Sequence, residues 1–323
     1  MTQPPAAEDP LFLERIGLFV PETFRTVQEL SEPLNLTSGQ VRLFNRFLGV
    51  DRVPVATGIE LGEMLTEAGE QALDGADRDS VRFLIHTHTI QHAAPPAQNM
   101  LDTVRRKLGL NRASAFGMSH VNCVAGLYAQ QVARGLLHDA GPEDKALLLF
   151  GDKIQSHRLR LIPDTTVLGD AAAACLVGRD PRGHRVIGQA LDVLGRFYQC
   201  LDGPEPLQTE YKELYSARIS SVMRAAIEDA GCTPEQIAGV LPHNVNRLSW
   251  KRISNGLGIP AGRVYLENVP KLGHCYTADP YMNLAAATSD GLLRPGDLAL
   301  MASAGLGAAF AAAVIRIGEG IPR

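Results

Sequence analysis

The chain is poor in the features that mark several whole classes of protein. It has five cysteines, at positions 123, 175, 200, 232 and 275. An odd count at irregular spacing argues against a disulfide framework, and the lack of any CxxC pair argues against a zinc knuckle. Positive charge is not in surplus: 31 Lys and Arg against 35 Asp and Glu leave a net charge of −4 and no basic footprint for nucleic acid. No apolar run reaches membrane-spanning length, and the most apolar ones, 171–177 and 308–315, have the length of buried strands. The first ten residues have neither the basic segment nor the apolar core of a secretory signal, so 1–10 is expected to be a flexible tail. The GxSxG elbow of serine hydrolases is absent. The pairs Gly256-x-Gly258 and Gly305-x-Gly307 lack the strand–GxGxxG–helix context of a dinucleotide loop. The expectation is a cytoplasmic protein with no metal or cofactor, binding neither nucleic acid nor membrane.

What is present is a large core and a repeat. At 323 residues and 45% hydrophobic content, the chain suffices for one big domain or two similar halves. The first half reads as helix 61–73, strand 81–88, helix to 110, strand 113–118, Cys123, helix to 137 and strand 146–150. The second reads as helix 220–230, strand 237–243, helix to 259, strand 263–267, then Gly273-His274-Cys275, helix to 293 and strand 298–302. Helices alternating with short apolar strands indicate mixed α/β layers with a buried sheet in each half. The turn-rich segment 178–183 is the junction, giving halves 11–180 and 181–323. Residues 151–168 and 195–215 are polar and read as loops over a site.

Cys123 follows the extended segment 113–118 and opens a helix whose first turn carries small residues. A thiol at a helix N-terminus lies at the positive end of the macrodipole, which favours the thiolate. The alternative for any single cysteine is a buried structural thiol. The repeat places His274 at the position equivalent to Cys123, and His243 at the end of a strand where the first half has His86 and His88. Ligands gather at the C-terminal ends of such strands. The His86-x-His88-x-x-x-His92 spacing would suit a metal, but no acidic or cysteine ligand lies beside it. Packing or pocket lining is the preferred role, with His92 a substrate contact. Arg158, Arg160, Lys251 and Arg252 are candidates for binding the phosphates of a substrate, solvated surface charge being the commoner role of such residues.

Over essentially its whole length the sequence resembles the thiolase superfamily, and within it the ketoacyl-ACP synthase III branch. Cys123 with Ala125-Gly126 resembles the nucleophile motif, and Leu168-Gly169-Asp170-Ala171 resembles the Gly-Asp-Gly-Ala segment. Pro242-His243-Asn244-Val245-Asn246 resembles Pro-His-Gln-Ala-Asn, and Ala304-Gly305-Leu306-Gly307 resembles the C-terminal glycine loop. The resemblance implies an α/β, thiolase-like fold of two duplicated halves in α-β-α-β-α layers, assembled as a homodimer. It implies Cys123 and His243 as catalytic residues, the backbone amides of Cys123 and Leu306 as oxyanion donors, and acyl-CoA or acyl carrier protein as donor.

Two departures stand out. His274 follows Gly273 where the branch has asparagine, so that Cys123, His243 and His274 resemble the Cys-His-His set of elongating synthases. Asp279 and Asn246 are possible accessory residues beside it. Leu306 interrupts what is usually a run of three glycines. The expected function is therefore ping-pong acyl transfer through acyl-Cys123 to a small-molecule acceptor, forming an ester, amide or C–C bond, in specialised polyketide-type metabolism. The alternatives are decarboxylative condensation with malonyl-ACP in fatty-acid initiation, and a non-catalytic partner subunit of a heterodimer.

Overall fold

In a computed structural model of the protein, the structure describes residues 10–90 and 99–320. Its main sheet contains β1 (Leu11–Phe19), β2 (Val81–Thr87), β3 (Ser114–Met118), β4 (Lys145–Asp152) and β5 (Ala171–Gly178) from the first half. The second half supplies β6 (His184–Val193), β7 (Ile237–Pro242), β8 (Leu298–Gly305) and β9 (Ala309–Arg316). The principal helices are α1 (Leu61–Ala72), α2 (Met100–Lys107), α3 (Ala125–His138), α4 (Glu205–Asp229), α5 (Arg247–Gly256) and α6 (Asp279–Ser289).

The strand order is β7-β8-β9-β6-β1-β5-β4-β2-β3. Pairing repeats between the halves. β2 is parallel to β4, β4 antiparallel to β5, and β5 antiparallel to β1. Likewise β7 is parallel to β8, β8 antiparallel to β9, and β9 antiparallel to β6. The halves join where β1 pairs with β6 through Leu11↔Val186, Phe12↔Arg185 and Leu13↔His184.

Helices fill three layers around the sheet. α1 covers β1, β5 and β4 on one outside face, and α4 covers β6, β9 and β8 on the other. Between the half-sheets lie α3, against β2, β4, β8 and β9, and α6, against β1, β5, β7 and β8. Three apolar cores lie between the layers, the middle one packing on both sides of the central helices. All of β5 is buried because helices cover both its faces, which is why its sequence is a continuous apolar run rather than an alternating one. Each large aliphatic side chain buried in these cores contributes about 1.5–3 kcal/mol. Among the described residues, no helix is long and apolar enough to cross a membrane.

Two expectations need correction. Residues 195–215 are not all loop, because α4 begins at Glu205 and runs for 25 residues. Pro206 sits in its first turn, where a missing N–H costs nothing, and Leu207, Tyr211, Leu214 and Tyr215 pack one face onto the core. Residues 263–267 are not a strand; the segment makes a single bridge, Val264 to Val240 on β7, parallel as β3 is to β2. The expected tail lies outside the described residues except for Pro10.

Candidate active site

Cys123 stands in a 3-10 turn, Asn122–Val124, that leads into α3. Close backbone approach shapes its surroundings. A Cβ at Gly126 would come within 2.7 Å of the Thr277 carbonyl oxygen. A Cβ at Gly305 would come within 2.5 Å of the Val121 carbonyl oxygen and 3.3 Å of the Cys123 nitrogen. Nothing larger than a hydrogen fits at these two positions, so the β8–β9 turn can lie against the nucleophile. Three bonds fasten this approach. The Asn122 amide donates to the Leu306 carbonyl. Ser303 Oγ donates to the Cys123 carbonyl at 3.0 Å, and Tyr281 Oη on α6 donates to the Gly126 carbonyl at 2.8 Å. His120, Asn122 and Tyr276 hold φ of 71°, 51° and 55°, left-handed conformations that cost non-glycine residues about 1–3 kcal/mol each.

His274 and Cys123 meet across the two halves, with Nε2 3.1 Å from Sγ. The backbone of His274 is clamped to the neighbouring strand segment: its N–H donates to Val167 and its carbonyl accepts from Gly169. Its other ring nitrogen, Nδ1, lies 2.5 Å from Asp279 Oδ2. Asp279 is fully buried at the first position of α6, where the helix dipole favours an anion. Its carboxylate also accepts the Cys275 N–H at 2.8 Å, the Asn244 N–H at 2.6 Å and the Asn244 side-chain amide at 3.2 Å. These donors fix the carboxylate in place beside the imidazole. Burial works against charge on His274, but Cys123 and Asp279 on its two sides outweigh it and hold its pKa above the ordinary imidazole value. The three groups form a chain from thiol to imidazole to carboxylate.

His243 follows β7, and its ring centroid is 5.5 Å from that of His274. Its Nδ1 accepts the Ala304 N–H at 3.2 Å, so the proton of the neutral ring resides on Nε2. Burial, reinforced by the charge on His274, drives the pKa of His243 well below the usual value. The two histidines are therefore electrically unlike: one is stabilised as a cation and the other is kept neutral. Beside Cys123, the buried Ile154, Leu168 and Tyr276, with Ile90 and Ile162, form a small apolar cluster. The short hairpin of Leu161–Ile162 with Thr166–Val167 supplies part of it, so the 151–168 insertion lines the site.

Other sequence candidates fall elsewhere. Arg160 is not available to a phosphate: it is buried, paired with Asp170 at 2.9 Å and bonded to the Leu168 carbonyl. Asn246 is not in the catalytic cluster, because its Oδ1 caps α5 by accepting from Leu248 and Ser249. Arg252 is exposed on α5. His92 and the side chain of Arg158 lie outside the described residues. His86 and His88 stack at the end of β2, with His86 Nε2 3.0 Å from the Gly151 carbonyl. Among the described residues, no three His, Cys, Asp or Glu are grouped to hold a metal. Sequence reasoning missed Asn244, Asn283 and Asp152. Asn283 donates to the Pro242 carbonyl and to Asn244 Oδ1, extending the polar chain behind Asp279.

Residues 227–317 match the family model of the 3-oxoacyl-[acyl-carrier-protein (ACP)] synthase III C terminal region. A beta-ketoacyl-[acyl-carrier-protein] synthase III of Rhizorhabdus wittichii is 29% identical over 284 residues, covering 82% of this chain and 87% of that one. The solved structure of ChlB3, an acyltransferase, superposes with a TM-score of 0.85 at 22% identity, covering 96% of this chain and 98% of that one. The priming beta-ketosynthase of the R1128 polyketide pathway superposes with a TM-score of 0.80 at 19% identity, covering 99% of both chains.

Proposed function

We propose that this chain, which is similar to ketoacyl-ACP synthase III proteins, transfers an acyl group from a CoA or carrier-protein thioester, through acyl-Cys123, to an alcohol or amine. The observation that carries this reading is the chain Cys123–His274–Asp279, with contacts of 3.1 Å and 2.5 Å. In that arrangement Nδ1 donates to a buried carboxylate and Nε2 faces the reacting atoms, which equips His274 to move a proton.

In the first step the sulfur of Cys123 adds to the thioester carbonyl, its proton passing to His274. The donor C–S bond breaks and the donor thiolate leaves with that proton. In the second step neutral His274 removes the proton of the acceptor O–H or N–H as that atom attacks acyl-Cys123. It then returns the proton to the departing cysteine sulfur. His243, neutral with its proton on Nε2, suits hydrogen-bond donation to the oxygen that gains charge, alongside backbone amides of Cys123 and Leu306. Decarboxylative condensation asks for two neutral imidazole donors. An Nε2 that takes part in proton transfer with the thiol supports acyl transfer better.

The apolar cluster beside Cys123 fits the hydrocarbon part of the acyl group. A role in polyketide-type specialised metabolism is supported by the His274 and Leu306 departures. The same reading makes the protein a cytoplasmic homodimer that needs no cofactor. Strand β3 lies at the sheet edge, and its outer side is paired by no strand among the described residues, which supports the dimer. Intact-mass measurement after incubation with a panel of acyl-CoAs is the test, and a single acyl adduct that is lost in Cys123→Ala is expected. The adduct should then discharge onto alcohols or amines without CO2 release. No adduct with any donor, or discharge only with malonyl thioester and CO2, overturns it.

A further inference from the structure

Asp152, the last residue of β4, is fully buried and takes no part in the catalytic set described above. Its two oxygens accept two successive backbone amides across the sheet: Oδ2 from Thr89 at 2.9 Å and Oδ1 from Ile90 at 3.0 Å. Those two residues form the corner beyond the C-terminal end of β2, and both face the nucleophile. Thr89 Oγ1 lies 4.0 Å from Cys123 Sγ, and Ile90 packs in the apolar cluster that contains Cys123. Resting on the acyl-transfer reading, we propose that Asp152 is a positioning residue that fixes the Thr89–Ile90 corner, and with it one wall of the acyl site, against Cys123.

Two consecutive amides pointing at the two oxygens of one carboxyl group match the anion. In the acid form the oxygen that carries the hydrogen is the poorer acceptor and must turn that hydrogen away from its N–H, so one of the two bonds is weakened. The anion is expensive at this place. Burial raises the pKa of Asp152 to about 7, against the lowering by the Thr89 and Ile90 amides and by His274. The titratable and charged groups around it come from every neighbouring element. His86 and His88 stand on and beyond β2, and Cys123 precedes α3. His274 and Tyr276 lie before α6, and the Arg160–Asp170 pair is joined to the strand end through the Ile154 amide. The corner is therefore held more tightly above neutrality than below it.

Backbone hydrogen exchange of the full chain measures the clamp without any substrate. The Thr89 and Ile90 amides, corrected for intrinsic rates, should gain roughly tenfold protection between pH 6 and pH 8. Asp152→Asn, whose carboxamide offers a single acceptor oxygen, should show no such rise. Cys123 acylation, followed by intact mass with the acyl-CoA that labels the wild type, should be roughly tenfold slower in the variant at pH 8 and converge with wild type at pH 6. A merely structural role would slow both pH values alike. Flat protection in the wild type, or parallel acylation profiles, overturns the proposal. If Asp152→Asn does not fold, the wild-type exchange profile alone decides. A wild type that shows the exchange step but never acylates sinks the acyl-transfer reading while supporting the clamp.

Discussion

Asn244 grips both oxygens of Asp279, its backbone N–H reaching Oδ2 at 2.6 Å and its side-chain amide reaching Oδ1 at 3.2 Å. The residue after His243 thereby sets the orientation of the carboxylate that serves His274. Asn244→Ala removes the side-chain donor and the acceptor for Asn283, while Asn283 keeps its bond to the Pro242 carbonyl. The expected result is a loss of about 1–3 kcal/mol in urea unfolding and slower transfer from acyl-Cys123 in single-turnover assays.

Asp279→Asn removes the anion beside Nδ1 and substitutes a group of nearly the same shape. Acyl transfer should fall by about 10³–10⁴. Because the carboxylate raises the His274 pKa, its loss should move the His274 limb of the pH–rate profile to lower pH. A profile measured by single-turnover discharge, with the limb unmoved, would show that Asp279 does not act through His274.

Gly305→Ala forces a methyl group to within 2.5 Å of the Val121 carbonyl, backbone that has nowhere to go. Its shift would drag the Leu306–Gly307 turn away from Cys123. The expected cost is about 1–3 kcal/mol, read from the unfolding midpoint, with acylation lost more completely than stability.

Asp152 makes its own contribution to pH dependence. Its pKa is raised from about 3.9 in the unfolded chain to about 7 in the folded protein. A raised value means stability that is fully present below pH 4 and lost as the pH climbs through 7, at most about 4 kcal/mol. Asp152→Asn has no such loss. Urea unfolding of both proteins at pH 4.5 and pH 8 should therefore show the balance moving in the variant's favour at the higher pH.

Much of this architecture was legible because it is written locally. The all-apolar runs of β5 and β9, the small residues after Cys123 and the repeated order of elements each follow from periodicity within a short window. The start of α4 was obscured because Pro206 and a charged surface mimic a loop, and its apolar stripe is only half-buried. The site was legible to the extent that its residues sit in motifs. Asp152 and Thr89 are 63 positions apart, and Asn283 reaches Asn244 across 39. No local pattern records such a meeting. Arg160 misled because sequence reports a charge without its partner, and Asp170 neutralises it in the interior.

The β1–β6 pairing gives the molecule an unusual kind of divisibility. The nucleophile belongs to one half and both histidines to the other, and the only covalent link between the halves is the turn that separates β5 from β6. A cut in that turn would leave two fragments, neither of which holds a complete site. Their shared sheet seam and the α3–α6 layer between them are what would have to reassemble. Acylation of Cys123 on mixing the two pieces would report that reunion directly, making the chemistry its own measure of how the halves recognise each other.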